Sequence, residues 1–538
     1  MVDAPSNVSA QLVALQAQFE QYKHETNANQ DAFFLCSMSL IIFFMQCGFA
    51  FLEAGAVRSK NTTNIIFKNV LDSLFAVICY WSVGWGLAYG PTGDNILSPF
   101  FGQGEFFLSG YDNYPKFFFQ FVFAATAATI VAGAVAERCE ITCYIVYCCV
   151  ICTIVYPVLT HWGWADEGFL KRGFETGEGL RTTYLDFAGA GVVHVCGGII
   201  SLVAAKIMEP RIGRFNKNEG ESLELKGHSV PFAALGGFIL IFGFLAFNGG
   251  STGTITTPGV GNIVALAMFN TIMSGAFASF VFLITFFMKH KKLTLLFTLN
   301  ACLAGMVAAC AGCDNSKPWT TIITGGGAGI IYLILSEFCV KIHVDDPLDA
   351  FAVHFGGGSW GLFSTAFLRN DGIIQALVSG DHVTHTFIQF GWQVVAWLSI
   401  IIWSTLIMAP IFLILKKLGK MRVPAEIEVK GLDIYKHGEA AYPLHAYGHG
   451  WDEFEPVKTH KTSVSVPEIS LEQLAVAYEN QTLPDVRKKS VYHNPTAYEH
   501  PEYHSQAKIK TITKKPNQVG PMNGKNGKGT ISVWINNS

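Results

Sequence analysis

Charged residues are scarce in this chain of 538 residues. They make up 14% of it, whereas soluble globular proteins contain about 25%. Half of the residues are apolar, and 43 of them are phenylalanine. This composition excludes a disordered protein and an ordinary cytosolic enzyme, and it indicates a protein that crosses a membrane several times. The net charge of −3 is too small to indicate a nucleic-acid partner.

The sequence signatures of metal and cofactor chemistry are also missing. The chain has 13 cysteines, an odd number, and most lie inside apolar runs, so neither a disulfide framework nor a zinc site is predicted. No phosphate-binding glycine loop precedes a predicted helix, which argues against ATP as the driving force. His382 and His385 form a close pair in a predicted outer loop, where a solvated surface is expected. We therefore expect no cofactor, no metal and no enzyme activity.

Apolar runs of transmembrane length occur eleven times, each near the roughly 20 residues that a membrane-spanning helix needs. Glycine and alanine recur within these runs, as they do in transmembrane helices that pack closely. The sequence therefore predicts an all-α polytopic membrane protein. The predicted spans are 32–54, 64–89, 116–136, 141–161, 185–207, 231–249, 261–287, 293–312, 319–340, 348–368 and 387–415.

Lysine and arginine predict how the chain is oriented. The loops that follow the odd-numbered spans are rich in both residues, so this side should face the cytoplasm of a plasma-membrane protein. Residues 1–31 are then extracellular, and the tail 418–538 is cytoplasmic. Asn7 begins a glycosylation sequon on the outer side. The polar tail is expected to be a regulatory or disordered segment.

Two segments, in the fifth and tenth predicted spans, resemble each other. Asp186 precedes His194 by eight residues, Asp346 precedes His354 by eight, and a glycine pair follows each histidine. Five spans separate the segments, and five is odd, so the second copy crosses the membrane in the opposite direction. This predicts an inverted repeat, which places functional groups near the middle of the membrane. The predicted divisions are a repeat at 32–208, a cytoplasmic loop at 209–230, a repeat at 231–368 and an eleventh helix at 387–417.

The two histidines are the leading functional candidates. A lone histidine in an apolar span is usually a structural hydrogen bonder, but two at matched positions are predicted to meet across a pseudo-twofold axis. Burial disfavours the charged form, so each ring should be neutral, with one donor and one acceptor. Such a pair can bind a small polar molecule or relay a proton. Asp186 and Asp346 are interpreted as helix caps, and Asp186 as a further influence on the electrostatics of the outer mouth.

Aromatic residues cluster at the predicted outer side. Phe119 and Phe123 lie in the outer half of the third span, and Trp164 lies just beyond the fourth. Such residues usually belong to the core or to the membrane interface. Aromatic faces also attract small cations, so these three could share an extracellular vestibule.

Several motifs occur in a fixed order along the chain. They are Gly133-Ala-Val-Ala-Glu-Arg138, Asp186-Phe-Ala-Gly-Ala-Gly-Val-Val-His194, Phe247-Asn-Gly-Gly-Ser251, Asp346-Pro-Leu-Asp-Ala-Phe-Ala-Val-His354, Gly431-Leu-Asp433 and His437-Gly-Glu439. With these motifs the sequence resembles the Amt branch of the ammonium transporter (Amt/Mep/Rh) superfamily, over about residues 30–442. The resemblance implies an eleven-helix protomer, a homotrimer in the lipid bilayer, and one pore per protomer for ammonium or its analogue methylammonium.

The resemblance also implies roles for individual residues. An external site would recruit the ion, two stacked rings would gate the pore, and the paired histidines would line it. Glu137 and Arg138, at the cytoplasmic end, are expected to be structural. The implied assignments are Phe123, Trp164 and Ser251 for recruitment with Phe119 in support, Phe123 and Phe247 for the gate, and His194 and His354 for the pore.

A mechanism follows from the chemistry of ammonium. Potassium matches ammonium in size and charge but cannot donate hydrogen bonds or lose a proton. Because burying an unpaired cation costs many kcal/mol, we expect NH4+ to be deprotonated at the gate and NH3 to pass the histidines, with or without separate proton transfer. Two alternatives are an ammonium sensor that signals through the tail and an ion-coupled symporter of another small solute, which usually needs interrupted helices.

Overall fold

The part of the chain that the structure describes is mostly helical. A computed structural model describes residues 4–177, 179–215 and 222–443, and of residues 4–7 the backbone alone. The side chain of Asn7 and the tail beyond 443 therefore lie outside the described residues. Strand within these ranges is limited to an antiparallel pair, Phe174–Glu175 and Arg181–Thr182. The predicted all-α membrane class is confirmed.

The main helices are labelled α1 to α11 in chain order. Nine of them, all except α8 and α10, are long and apolar enough within the described ranges to cross a membrane, so a count of eleven spans stays a prediction. Their bounds are Ala4–Ala56, Ser59–Tyr89, Tyr114–Val135, 141–164, Ala190–Met208, Val230–Gly250, Val260–His290, Leu295–Ala309, Pro318–Lys341, 351–368 and Val383–Lys417. Shorter helices are Phe106–Leu108, Phe169–Arg172, Ile373–Ser379 and Ala425–Lys430.

Several helix boundaries differ from the prediction by a few residues or more, and three of the differences concern residues discussed below. Helix α1 begins at Ala4 rather than near residue 32, because the polar N-terminal residues continue the same helix. Helix α5 begins at Ala190, so Asp186 precedes it instead of lying within it. Helix α11 begins at Val383, which places His385 in its first turn rather than in a loop.

Wider π-helical turns occur in four of these helices, inside α2 and α4 and at the beginning of α5 and α10. Single π turns are rare in α-helices and often lie at functional sites. Two of the four occupy matched positions in the predicted repeats, and each contains one of the histidines. The four segments are Tyr80–Gly84, Ile151–Val155, Ala190–Val195 and Phe351–Gly356.

Glycines allow the helices to pack closely, which is how transmembrane helices associate without a hydrophobic driving force. A Cβ atom on Gly236 of α6 would lie 2.1 Å from the backbone nitrogen of Leu52 on α1. A Cβ atom on Gly325 of α9 would lie 2.2 Å from the carbonyl oxygen of Ser274 on α7. Larger residues at these glycines would push the helices apart.

The start of the tail packs against one end of the bundle, which we call the tail end. The backbone nitrogen of Val423 donates to the carbonyl of Arg138 at 3.0 Å. The Asp433 carboxylate accepts from the backbone nitrogen of Asn64 at 2.9 Å, and the Asn64 side chain lies 2.8 Å from His437 Nε2. These contacts fix the described tail residues against the beginning of α2.

A buried ion cluster stabilises the same end. The Glu137 carboxylate lies 2.6 Å from Arg58 Nη2, and the Asp345 carboxylate lies 2.7 Å from Arg211 Nε. Burial acts to raise the pKa of the Glu137 carboxyl, but Arg211 and Arg58 outweigh it and lower that pKa. Arg138 donates to the carbonyl oxygen of Asp345 at 2.7 Å. Because each charge is paired, the cluster joins α3 to the loops before α6 and α10.

Candidate functional site

His194 and His354 meet inside the bundle. Their Nδ1 atoms lie 3.1 Å apart, and the ring planes are within 13° of each other with centroids 5.2 Å apart. At that distance one Nδ1–H donates to the other Nδ1, which fixes opposite tautomers on the two rings. His194 Nε2 is buried and has no hydrogen-bond partner among the described residues. The pair therefore leaves a polar nitrogen facing an apolar interior.

A glycine four residues after each histidine brings the rings together. A Cβ atom on Gly198 of α5 would lie 2.3 Å from the backbone nitrogen of Phe355, beside His354. A Cβ atom on Gly358 of α10 would lie 2.4 Å from the carbonyl oxygen of Ala190, in the π turn of His194. The close crossing of α5 and α10 thus depends on two reciprocal glycines.

Two phenylalanine rings are stacked next to the histidines. The Phe123 and Phe247 centroids lie 4.0 Å apart with an angle of 26° between the planes, and both side chains are buried. The Phe247 centroid lies 5.6 Å from that of His194. The stack leaves no described polar group between these two rings, so an ion that entered it would lose its water.

On the other side of this stack lie the buried Phe119 and the partly buried Trp164 and Ser251. Phe119 and Trp164 contact Phe123, with centroids at 4.9 Å and 6.0 Å. Trp164 and Ser251 are half-buried. The Ser251 hydroxyl donates to the carbonyl oxygen of Phe247 at 2.8 Å, so its lone pairs stay available as acceptors. The aromatic residues that the sequence groups together do contact one another.

Asp186 anchors the beginning of α5. Its carboxylate accepts from the backbone nitrogens of residues 189–192, at distances of 2.6 to 3.0 Å, and from the Tyr184 hydroxyl at 3.0 Å. The carbonyl oxygen of Asp186 accepts from the Trp164 indole at 2.7 Å. Asp186 therefore connects Trp164 to the turn that carries His194, and its two oxygens are occupied by these caps.

Asp346 has a weaker version of this role in the second predicted repeat. One of its carboxylate oxygens accepts from the backbone nitrogen of Phe351 at 2.8 Å, at the start of the π turn that contains His354. The other oxygen is buried without a partner in the described structure. The two aspartates thus occupy matched positions before the histidines but accept unequal numbers of hydrogen bonds.

Two further phenylalanines contact the histidines, and neither was expected from the sequence. The Phe244 ring stacks on His194 at 5.6 Å and 24°, and the Phe49 ring lies 6.5 Å from His354. Phe244 precedes Phe247 by three residues and so lies on the same face of α6, a spacing that could have indicated it. Phe49 belongs to one of many phenylalanine-rich runs, and the sequence carries no signal that separates it from the core.

The fold and this site define a class: an all-helical polytopic membrane protein with an imidazole pair in an apolar interior. Residues 32–442 match the model of the Ammonium Transporter Family. The chain belongs to that family.

Known proteins support this assignment. The chain is 55% identical to Putative ammonium transporter 1 of Caenorhabditis elegans, covering 88% of this chain and 93% of that protein. It is 34% identical to Ammonium transporter Amt2 of Archaeoglobus fulgidus, covering 75% and 86%. The solved structure named Sensor Amt Protein matches with a TM-score of 0.69 and 32% identity, over 77% of this chain and all of that one. Mep2 of Saccharomyces cerevisiae has 22% identity and a TM-score of 0.63 over 74% and 88%, which supports the fold alone.

Proposed function

We propose that this protein transports ammonium across the plasma membrane. The observation that carries the proposal is the contact between the His194 and His354 rings inside the apolar bundle. Family membership and the names of the relatives support ammonium as the substrate. We propose NH3, formed from NH4+, as the species that passes the histidines.

The proposed path begins at the aromatic group around the half-buried Trp164. NH4+ is captured by the faces of Trp164 and Phe123 through cation–π attraction, with the Ser251 hydroxyl as acceptor and Phe119 in support. Phe123 and Phe247 act as the gate. Because burying a bare ion between these rings is costly, NH4+ transfers its proton to water on the outer side of the gate and enters as NH3, whereas potassium has no proton to lose. The released proton stays outside or crosses separately.

Beyond the gate, NH3 hydrogen-bonds to the imidazoles. His194 Nε2 has no other described partner, so it can accept from or donate to NH3 according to its tautomer. Asp186 and Asp346 hold the two histidine-bearing turns in place rather than contacting the substrate. Asp186 accepts more hydrogen bonds from the turn that contains His194 than Asp346 accepts from the turn that contains His354. The His194 ring is therefore held more firmly than the His354 ring.

The test is methylammonium uptake in cells that lack their own ammonium transporters. His194→Ala and His354→Ala should each reduce uptake at least tenfold or abolish selectivity over potassium, because the ring pair is broken. His290→Ala, at the exposed end of α7, is the matched control and should leave uptake unchanged. Surface-exposed protein is quantified for each variant. Unchanged rate and selectivity in both pore variants would end the paired-histidine mechanism.

Assembly and orientation are part of the proposal. We infer a homotrimer with one pore per protomer, the N-terminus outside the cell and the tail inside. The support is family membership together with the excess of lysine and arginine in the loops at the tail end. Asn7, as an extracellular sequon residue, would carry a glycan in this orientation.

An ammonium sensor is the second candidate, and the likeness to the structure named Sensor Amt Protein favours it. Vesicles containing the purified protein separate the two functions. A transporter gives labelled methylammonium flux that rises with protein content, whereas a sensor binds ammonium without flux. A sodium requirement for uptake of another solute would instead support a symporter, although α5 and α10 continue without a break past both histidines.

A further inference from the structure

The N-terminal part of α1 carries an exposed apolar stripe. Between residues 8 and 25 every side chain is exposed. The six large apolar residues on this segment are 60% to 67% exposed. Five of them form the stripe and are spaced four, three, four and three apart, whereas Val13 lies beside it. The stripe residues are Val8, Leu12, Leu15, Phe19 and Tyr22.

This spacing is the heptad pattern of a coiled coil. Leu12 and Phe19 occupy a positions, and Val8, Leu15 and Tyr22 occupy d positions. The flanking e and g positions are uncharged or carry isolated charges of opposite sign, so nothing there opposes a second helix. These flanking residues are Ser9, Gln11, Gln16, Gln18, Lys23 and Glu25.

The direction of the segment determines what can cover the stripe. Helix α1 runs unbroken from Ala4 to Ala56, so residues 4–31 project about 40 Å beyond the span at 1.5 Å per residue. The helix is held where it leaves the bundle, because the Asp31 carboxylate accepts from the backbone nitrogens of Ile255 and Thr256 at 2.7 and 3.0 Å. A helix that continues the span in this way points away from the bilayer, so lipid does not reach its apolar face.

We propose that the N-terminal segments of neighbouring copies of this chain form a parallel coiled coil outside the membrane. The occupant of the stripe is thus the same stripe on a second and third copy. This inference rests on the proposed homotrimer, and it adds a contact between protomers outside their membrane-spanning helices. The segment begins in each protomer at the same height above the bundle, which sets a parallel arrangement in register.

The tether to the membrane body makes such a short coiled coil stable. The stripe spans about two heptads, and isolated helices of that length are marginal in water. Joining the segments to one assembled body turns their association into an intramolecular event at millimolar effective concentration. The coiled coil is therefore expected to form in the full-length assembly and to stabilise it.

Cysteine cross-linking in the purified full-length protein tests this proposal. Leu15→Cys places a thiol at a d position, and Ala17→Cys places one at the outward f position of the same turn. Under a mild oxidant, the introduced thiols of Leu15→Cys should form a disulfide between protomers at least tenfold faster than those of Ala17→Cys. Mass spectrometry identifies the linked peptides, so the native cysteines do not interfere. Equal rates in the two variants, or no link in Leu15→Cys, would overturn the coiled coil.

A second pair of variants tests the contribution to assembly. Leu12→Asp with Phe19→Asp puts charge into the core, and Ala10→Asp with Ala17→Asp puts the same charge on the outward face. The core variant should dissociate into protomers at a lower temperature, whereas the outward variant should match the unsubstituted chain. Native mass of the unsubstituted protein is measured in the same series. If the unsubstituted protein is a trimer and neither double substitution changes its dissociation temperature, the coiled coil alone is contradicted. If the unsubstituted protein is a monomer, the proposed assembly is contradicted as well.

Discussion

At the scale of single residues, the proposed site changes from half-buried to enclosed side chains. Trp164 and Ser251 are half-buried, whereas Phe123, Phe247 and His194 are enclosed. The free energy of a cation rises from the first group to the second as water is removed. In the proposed mechanism, cation attraction therefore acts at Trp164, and neutral hydrogen bonding acts at His194.

Trp164→Leu should weaken capture more than it lowers maximal flux. Loss of one cation–π contact costs about 1 kcal/mol, which corresponds to a rise of about fivefold in the half-saturating methylammonium concentration. Trp319→Leu, at an exposed tryptophan at the start of α9, is the matched control. A concentration dependence that Trp164→Leu leaves unchanged would remove this residue from the proposed recruitment site.

At the scale of helices, the crossing of α5 and α10 decides whether the two rings meet. Each histidine lies in a π turn, and each turn is followed by a glycine that the opposite backbone approaches. The two turns differ in how they are capped, since Asp186 accepts hydrogen bonds from four backbone N–H groups whereas Asp346 accepts one. The second turn is therefore the less constrained of the two.

Gly198→Ala should separate the helices and abolish transport without changing any polar group. The added Cβ would meet the Phe355 backbone at 2.3 Å, and overpacking of this kind costs about 1–3 kcal/mol. We expect a lower melting temperature and a loss of methylammonium uptake. Gly391→Ala on α11, where nothing lies within 4 Å of the new atom, should preserve both. Full uptake by Gly198→Ala would show that the close crossing is unnecessary.

At the scale of the whole molecule, the described tail is tied to the beginning of α2. Burial raises the pKa of the Asp433 carboxyl to about 6 from an ordinary 3.8, and burial lowers the pKa of His437. For Asp433, the stabilisation is present below the ordinary pKa and is lost as the pH rises through 6. For His437 the pH dependence is opposite. Burial disfavours the protonated ring, so the histidine favours docking more as the pH rises.

Replacing the histidine isolates the contribution of the carboxyl. In His437→Gln, docking of residues 431–437 should weaken as the pH rises from about 4 to about 6, because the charged Asp433 is costly to bury. The strength of docking is measured by amide hydrogen exchange of this segment, corrected for the intrinsic effect of pH on exchange. Adding Asp433→Asn removes the titrating group and should flatten the profile, although Lys436 and Glu439 remain nearby. Protection that stays constant in His437→Gln would contradict the assignment.

Much of the architecture was predictable because the membrane forces it. Backbone groups in lipid must be paired within each helix, so apolar runs of sufficient length indicate helices without further information. The equal spacing from Asp186 to His194 and from Asp346 to His354 indicated which polar residues to pair. The aromatic group of Phe119, Phe123 and Trp164 followed from its position along the spans.

Other features were invisible because they depend on contacts between distant segments. Phe49 and Phe244 are two phenylalanines among 43, and their proximity to the histidines arises from how α1 and α6 pack. The helical state of residues 4–31 was not predicted, because the spans were located from apolar runs and this segment is polar. The exposure of their apolar stripe follows from the projection of this helix beyond the bundle, which the sequence does not show.

The sequence by itself determined that this protein is a helical membrane protein with two matched histidines, since hydropathy and spacing are properties of the chain. The tertiary structure alone decided that the two rings touch, because that contact depends on Gly198 and Gly358 allowing two backbones to approach. It also decided that the Asp186 carboxylate accepts hydrogen bonds from the backbone of the turn that begins α5. Distances across a bundle are set by side-chain volume on both helices at once, and one-dimensional spacing does not contain them.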